Sequence, residues 1–279
     1  MDKLLTIGMA TYDDYDGVFF TTQALRMYHE ICNTNEVEFI ILDNNPNGKH
    51  AKETKRLAEE KLKGKYVTNE TQTSFSKYKI AEHATGKYVL TMDCHVLLVP
   101  DAIDVLLDYY KHHPDCKDLV QGPLLYDDLK TISTNFKEEY RGHMWGTWQT
   151  LKEEYNKGEP FEIPMQGMGL FSYELTNWPG ISPHFKGFGA EEGYIAEKFR
   201  QNGGKNICIP QLKWIHRFGR PAGVPFKCTV EDRVWNYFVG WMEFGIDHPM
   251  VQSTYDYFKT QIAEEKVKKI YEKAKALYA

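Results

Sequence analysis

The chain reads as an α/β protein with a mostly parallel, Rossmann-like central sheet flanked by helices and a helical extension at its C-terminal end. Three observations predict this. Apolar runs of strand length alternate with helical stretches from Leu4 to Met92, and the order is β-α-β-α-β-α-β. The polar sequences Thr11-Tyr12-Asp13-Asp14, Asp43-Asn44-Asn45 and Asp93-Cys94-His95 each follow the end of an apolar run. In doubly wound sheets ligands bind beyond the carboxyl ends of the strands, which is where these polar groups fall.

Leu4 to Ala10 is an apolar run stopped by a turn-rich segment, which predicts a buried strand, and a helix follows over Val18 to Cys32. Val37 to Leu42 is a second strand, closed by Asp43-Asn44-Asn45-Pro46-Asn47-Gly48. Lys52 to Lys63 is charged and helical, Lys65 to Thr68 a short strand, Lys77 to Ala84 a helix, and Lys87 to Met92 the strand that delivers Asp93. A helix over Asp101 to Tyr110 and a strand over Leu119 to Leu125 come next. Tyr126 to Pro164, with Trp145 and Trp148, reads as partly helical cover beside the site. Gln166 to Tyr173 is a strand whose glycines allow close backbone approach. Glu191 to Asn202 is a helix, and Cys208 to Ile215 a last strand ending at His216. From Glu231 to Ala279 the pattern predicts two helices, the second charged and facing solvent. The expected organisation is one large domain over 1–225 with a helical extension over 226–279 packed on it.

The 279 residues are ample for a core, and 42% hydrophobic with 26% charged residues excludes a disordered or fibrous chain. A net charge of −5 argues against non-specific nucleic-acid binding, which would need a local basic patch. Five cysteines share no metal-type CxxC spacing, so they read as reduced thiols and predict a cytoplasmic location. No segment approaches a membrane span and the N-terminal run is cut by Gly8, so neither an anchor nor a secretion signal is expected. A P-loop, a GxGxxG fingerprint and a catalytic triad are not legible, which sets aside ATP and dinucleotide enzymes.

Asp93-Cys94-His95 carries the first chemical signal. Residues i and i+2 of an extended segment share a side, so the carboxylate and the imidazole can converge on one cation while Cys94 points into the core. That donor pair suits Mn²⁺ or a similar borderline ion better than Ca²⁺. Gly167 and Gly169 either admit a ligand to the backbone or admit a packed neighbour, and both uses are compatible. Adjacent acids at a helix start are common because they favour the dipole, and Glu191 and Glu192 point in different directions, so one of them is expected to face the site.

Taken together, Asp93-Cys94-His95, the segment Phe188-Gly189-Ala190-Glu191-Glu192 and the strand end Ile215-His216-Arg217-Phe218 resemble three motifs of GT-A-fold glycosyltransferases, in the same order. The chain looks most like the Asp-x-His polypeptide N-acetylgalactosaminyltransferase branch, over about Leu4 to Pro225. The resemblance implies a UDP-sugar donor, a hydroxyl acceptor and a Mn²⁺ ion or other divalent cation held by Asp93, His95 and His216. It implies uridine contacts from Thr11, Tyr12, Asp13 and Asp43, although Asp43 before Asn44-Asn45-Pro46 equally suits a turn. Lys77 or Lys79 stands where relatives often place a basic residue. Arg217 and Arg220, in a loop with Gly and Pro, could fold over the diphosphate.

In the Asp-x-His branch, which retains configuration, the glutamate matched by Glu191 contacts the donor sugar. In inverting GT-A enzymes the second acid, here Glu192, would be the general base. Retention is the expectation and inversion its alternative. The acceptor could be a glycan, a protein or a hydroxylated nucleobase in nucleic acid. A nucleotide-sugar-binding protein without catalysis would require degraded ligand motifs, and they are intact.

Overall fold

The computed structural model describes residues 3–70, 73–224 and 226–278; Pro225, where the sequence places a boundary, and Ala279 lie outside the described residues. The first half alternates in the predicted order: β1 (Lys3–Thr11), α1 (Tyr15–Tyr28), β2 (Val37–Asp43), α2 (Ala51–Arg56), β3 (Lys65–Thr68), α3 (Ile80–His83) and β4 (Gly86–Asp93). β1 runs parallel to β2 and β4, and β2 to β3. Leu5, Ile7, Met9, Ile40, Ile41 and Leu42 are all buried, as the apolar runs of strands covered on both faces must be. Ser74–Lys79, just before α3, is a 3₁₀ turn, and it carries Lys77 inward rather than on an exposed helix face.

The remaining elements are β5 (Val96–Leu98), α4 (Ala102–His112), β6 (Leu119–Gln121), β7 (Leu124–Leu125), β8 (Ile132–Ser133), β9 (Asn135–Arg141), β10 (Met144–Gln149), α5 (Lys152–Lys157), β11 (Phe161–Glu162), β12 (Leu170–Glu174), α6 (Glu191–Gln201), β13 (Asn206–Cys208), β14 (Trp214–His216), α7 (Val230–Glu243), α8 (Pro249–Phe258) and α9 (Glu264–Lys275). The central sheet has the order β11-β13-β6-β12-β4-β1-β2-β3. Within it β12 is antiparallel to β4 and β6, and β11 to β13. A second sheet, β5-β14-β7-β8, stands at the carboxyl end of β4.

Four sequence expectations change. Leu119 to Leu125 is two strands in different sheets, because Gly122-Pro123 interrupts it and proline has no N–H for a ladder. Cys208 to Ile215 divides in the same way around Pro210, and this carries His216 into the second sheet. Tyr126 to Pro164 is chiefly a β-hairpin, β9–β10, with one short helix, since Trp148 pairs across to Phe136 and aromatic cross-strand pairs favour a sheet. The C-terminal stretch holds three helices instead of two, broken at Gly245 and restarted by His248, which caps Pro249 onward.

Helices cover both faces of the sheet. On one side α1 and α4 pack over β1, β4 and β6. On the other, Val234, Phe238 and Trp241 of α7 share a buried cluster with Tyr173, Phe185 and Tyr194. Buried Asn236 of α7 donates to Lys186 O at 2.7 Å and to Gly189 O at 3.0 Å, holding the turn that starts α6. No helix among the described residues is long and apolar enough to cross a membrane.

Candidate active site

A cavity of about 390 Å³ opens beyond the carboxyl ends of β1 and β4, where the sequence expects a ligand. Thr11 and Tyr12 line it from the end of β1, Asp93 and His95 from the end of β4, and Gly167 and Gly169 from the approach to β12. His216 enters from β14, Lys77 from the 3₁₀ turn, and Glu191 and Glu192 from the start of α6. Phe136 and Trp148 of the hairpin form an aromatic wall, ring against edge at 4.5 Å.

Two backbone registers assemble the polar centre. Asp93 N donates to Gly169 O at 2.9 Å, which joins the end of β4 to the approach of β12. β14 pairs antiparallel with β5, setting His216 opposite Val96, and Arg217 N donates to His95 O at 3.1 Å. The two imidazoles therefore stand 4.9 Å apart at 77°. Ligand atoms of Asp93, His95 and His216 all lie within 4.8 Å of one another. His216 Nε2 is 3.2 Å from Asp93 Oδ2, while His95 Nε2 and His216 Nδ1 are buried without a partner.

Charge at this centre is tightly balanced. Burial works to raise the Asp93 carboxyl, but the Lys77 ammonium and the His216 hydrogen bond outweigh it and hold the group well below the usual carboxylate range. Lys77 Nζ lies 3.2 Å from Asp93 Oδ1 and donates to Met168 O at 2.7 Å. Burial lowers His216 despite its contact with Asp93, favouring the neutral, electron-pair-donating ring. Glu191 and Glu192 are both raised by burial, and Glu192 further by the charge of Glu191. Each leaves Oε2 buried and unpartnered.

Both acids border the cavity, which corrects the expectation that one would. Residues 100° apart on a helix can both edge a space that lies off the helix end, and α6 starts abruptly here because Ala190 takes a left-handed φ of 78°. Gly169 has a packing reason as well: a Cβ there would come 2.9 Å from the buried Trp214 ring. Gly167 would likewise meet Trp148 at 2.9 Å.

Three expected residues stand outside the cavity wall. Asp43 Oδ1 accepts from Asn45 N at 2.8 Å and Oδ2 from Tyr66 OH at 2.6 Å, the turn arrangement its neighbours suggest. Asp13 Oδ2 accepts from Asn45 Nδ2 at 2.6 Å. Arg217 turns to Asp14, whereas Arg220 does reach the cavity. Sequence reasoning did not single out Asp14, whose side chain caps α1 through Gly17 N and also meets His95. A helix-capping Asp three residues before a glycine was the available signal. Trp214, Ser74 and Ser76 also line the cavity and carried no motif.

Residues 6–177 match the model of glycosyl transferase family 2. The chain belongs to glycosyl transferase family 2. The matched segment holds Asp93, His95 and Lys77, while Glu191, Glu192 and His216 lie beyond it. No curated protein matches the chain in sequence. Among solved structures, GalNAc-T7 with UDP, GalNAc and Mn²⁺ is similar over 98% of this chain at 16% identity and a TM-score of 0.69. This chain spans 55% of the length of that one. The mannosyltransferase PcManGT from Pyrobaculum calidifontis, with GDP-Man and Mn²⁺, is similar over 99% of this chain and 76% of its own, at 13% identity and a TM-score of 0.59. S. aureus TarS 1-349 with UDP-GlcNAc is similar over 96% and 70%, at 13% identity and a TM-score of 0.61. The GT-A fold expected from the sequence is the fold of this family 2 chain.

Proposed function

We propose that this family 2 chain transfers a sugar from a UDP-sugar to a hydroxyl acceptor, with retention of configuration, and that Asp93, His95 and His216 hold a Mn²⁺ ion. The observation that carries the reading is the buried Asp-His-His set, with two imidazole nitrogens lacking any partner, at the floor of a cavity lined by Lys77, Glu191 and Glu192. One carboxylate and two imidazoles fit a borderline divalent cation. When bound, that ion would neutralise charge growing on a departing diphosphate.

The protein's own groups then divide the work. Lys77 keeps Asp93 ionised and offers a positive charge at the cavity wall, and Arg220 offers a second from the loop. Thr11 and Tyr12 present the end of β1 to the nucleoside. Asp13 and Asp43 stand behind this edge and hold the turn after β2, each accepting from Asn45. Glu191 holds sugar hydroxyls, and the Phe136–Trp148 wall excludes water from one flank. The resemblance to the Asp-x-His branch supports retention, and the likeness to GalNAc-T7 solved with UDP and Mn²⁺ supports a UDP donor and a divalent ion.

One observation favours inversion instead. Glu192 faces the cavity with its proton affinity raised, as suits a general base working near neutral pH. The experiment that decides is NMR of the product's anomeric configuration together with the Glu191→Gln and Glu192→Gln variants. A retained product with a crippled Glu191 variant supports the proposal. An inverted product with an inactive Glu192 variant makes Glu192 the base. A thermal-shift panel with Mn²⁺ should place UDP above GDP, ADP and CMP, and preference for GDP would overturn the donor assignment.

A further inference from the structure

Beside the metal set stands a buried charged group that the metal reading does not use: Asp14, at the start of α1. Its Oδ1 accepts from Gly17 N at 3.1 Å, an ordinary helix cap. Its Oδ2 faces the other way, 3.0 Å from His95 Nδ1, and also receives the Arg217 guanidinium. An ionised carboxylate can only accept, so the nitrogen that meets it, Nδ1, carries a proton, and a ring giving an electron pair to a metal must give it from Nε2. Nε2 is then the lone-pair nitrogen, and it is the atom left buried without a partner beside Asp93 and His216. Arg217 is the residue after His216, so the same carboxylate also tethers the strand end that presents the second imidazole.

We propose that Asp14 is a positioning residue: its carboxylate fixes His95 in the Nδ1–H tautomer and anchors Arg217, so that both imidazoles face the metal before it arrives. This rests on the assignment of Asp93, His95 and His216 as ligands. Asp14 itself serves as no ligand in this scheme, because the oxygen nearest His95 is already shared between His95 and Arg217. Carboxylates behind metal-binding imidazoles orient the ring and raise its basicity, and their loss typically costs about 10–100-fold in metal affinity.

Asp14→Ser separates this role from helix capping, since serine caps as well but is too short to reach His95. Asp14→Asn restores a carbonyl acceptor of the right length without the charge. Mn²⁺ binding to the full chain is followed by the EPR signal of free aqueous Mn²⁺, and the His95 tautomer by ¹⁵N NMR of metal-free, histidine-labelled protein. Asp14→Ser should weaken Mn²⁺ binding by about 10–100-fold and shift His95 toward a mixture of tautomers, with Asp14→Asn recovering part of both. Equal Mn²⁺ affinity in wild type and Asp14→Ser, or an unchanged Nδ1–H tautomer, overturns the role of Asp14. Wild-type chain that binds no Mn²⁺ overturns instead the ligand assignment on which it rests.

Discussion

Replacing Lys77 by Met tests whether one buried cation holds the acidic cavity together. The Lys77 side chain is 11% exposed and that of Asp93 19%, so water screens their 3.2 Å contact only slightly. Methionine keeps the apolar stem and removes the charge, leaving Asp93 with the His216 hydrogen bond alone and Met168 O without its donor. Breaking a buried pair by removing one partner costs about 3–5 kcal/mol, and the remaining His216 contact places this case near 3 kcal/mol, or about two decades in the unfolding constant. Urea unfolding with metal chelated should show that loss as a lower midpoint at unchanged slope. On the proposed ligand assignment Mn²⁺ would supply positive charge to the same carboxylate, so it should restore more stability in the variant than it adds to wild type. A loss below about 1 kcal/mol, the range of an exposed pair, would refute the reasoning, as would equal stabilisation of both proteins by Mn²⁺.

Three further outcomes follow from the same geometry. Burial and the Glu191 charge raise Glu192, so the folded chain binds more protons than the unfolded one between the ordinary carboxylate range and the raised value; stability is full below that range and declines as pH rises through the raised value. Glu192→Gln cannot ionise and should flatten this decline in metal-free urea midpoints, and an unchanged decline would count against the burial argument. Gly169→Ala places a methyl 2.9 Å from the Trp214 ring, whose Nε1 is held by Gly122 O at 2.6 Å; we expect about 1–3 kcal/mol of destabilisation by thermal melting and weaker Mn²⁺ binding through displaced His216, and a wild-type melting temperature would contradict it. His216→Ala should weaken Mn²⁺-dependent UDP binding by at least the ~10–100-fold that loss of an outer partner costs, and an unchanged Mn²⁺ titration would remove His216 from the ligand set.

What is local or periodic could be read from the chain alone. Apolar runs placed β1, β2, β3 and β4 within a residue or two, and the polar triplets after β1, β2 and β4 pointed to the carboxyl edge where the cavity opens. Asp93 and His95 were legible as a pair from their spacing alone, although Cys94 and His95 form the turn between β4 and β5 and not the extended segment the sequence suggests. Tertiary structure decided the rest. His216 lies 123 residues from Asp93, and only the pairing of β14 with β5 brings them to 3.2 Å. Asp43 and Asp13 carry the residue type that binds uridine, yet their carboxylates are turned to Asn45 and Tyr66, a choice set by loop packing. Asp14 looks in sequence like a helix cap, and its second oxygen meets His95 from 81 residues away. Strand and helix patterns record the burial of each segment against an averaged interior, whereas a site is a coincidence of distant side chains. That coincidence is set by register and by chain breaks such as Gly122-Pro123 and Pro210, which no periodicity encodes.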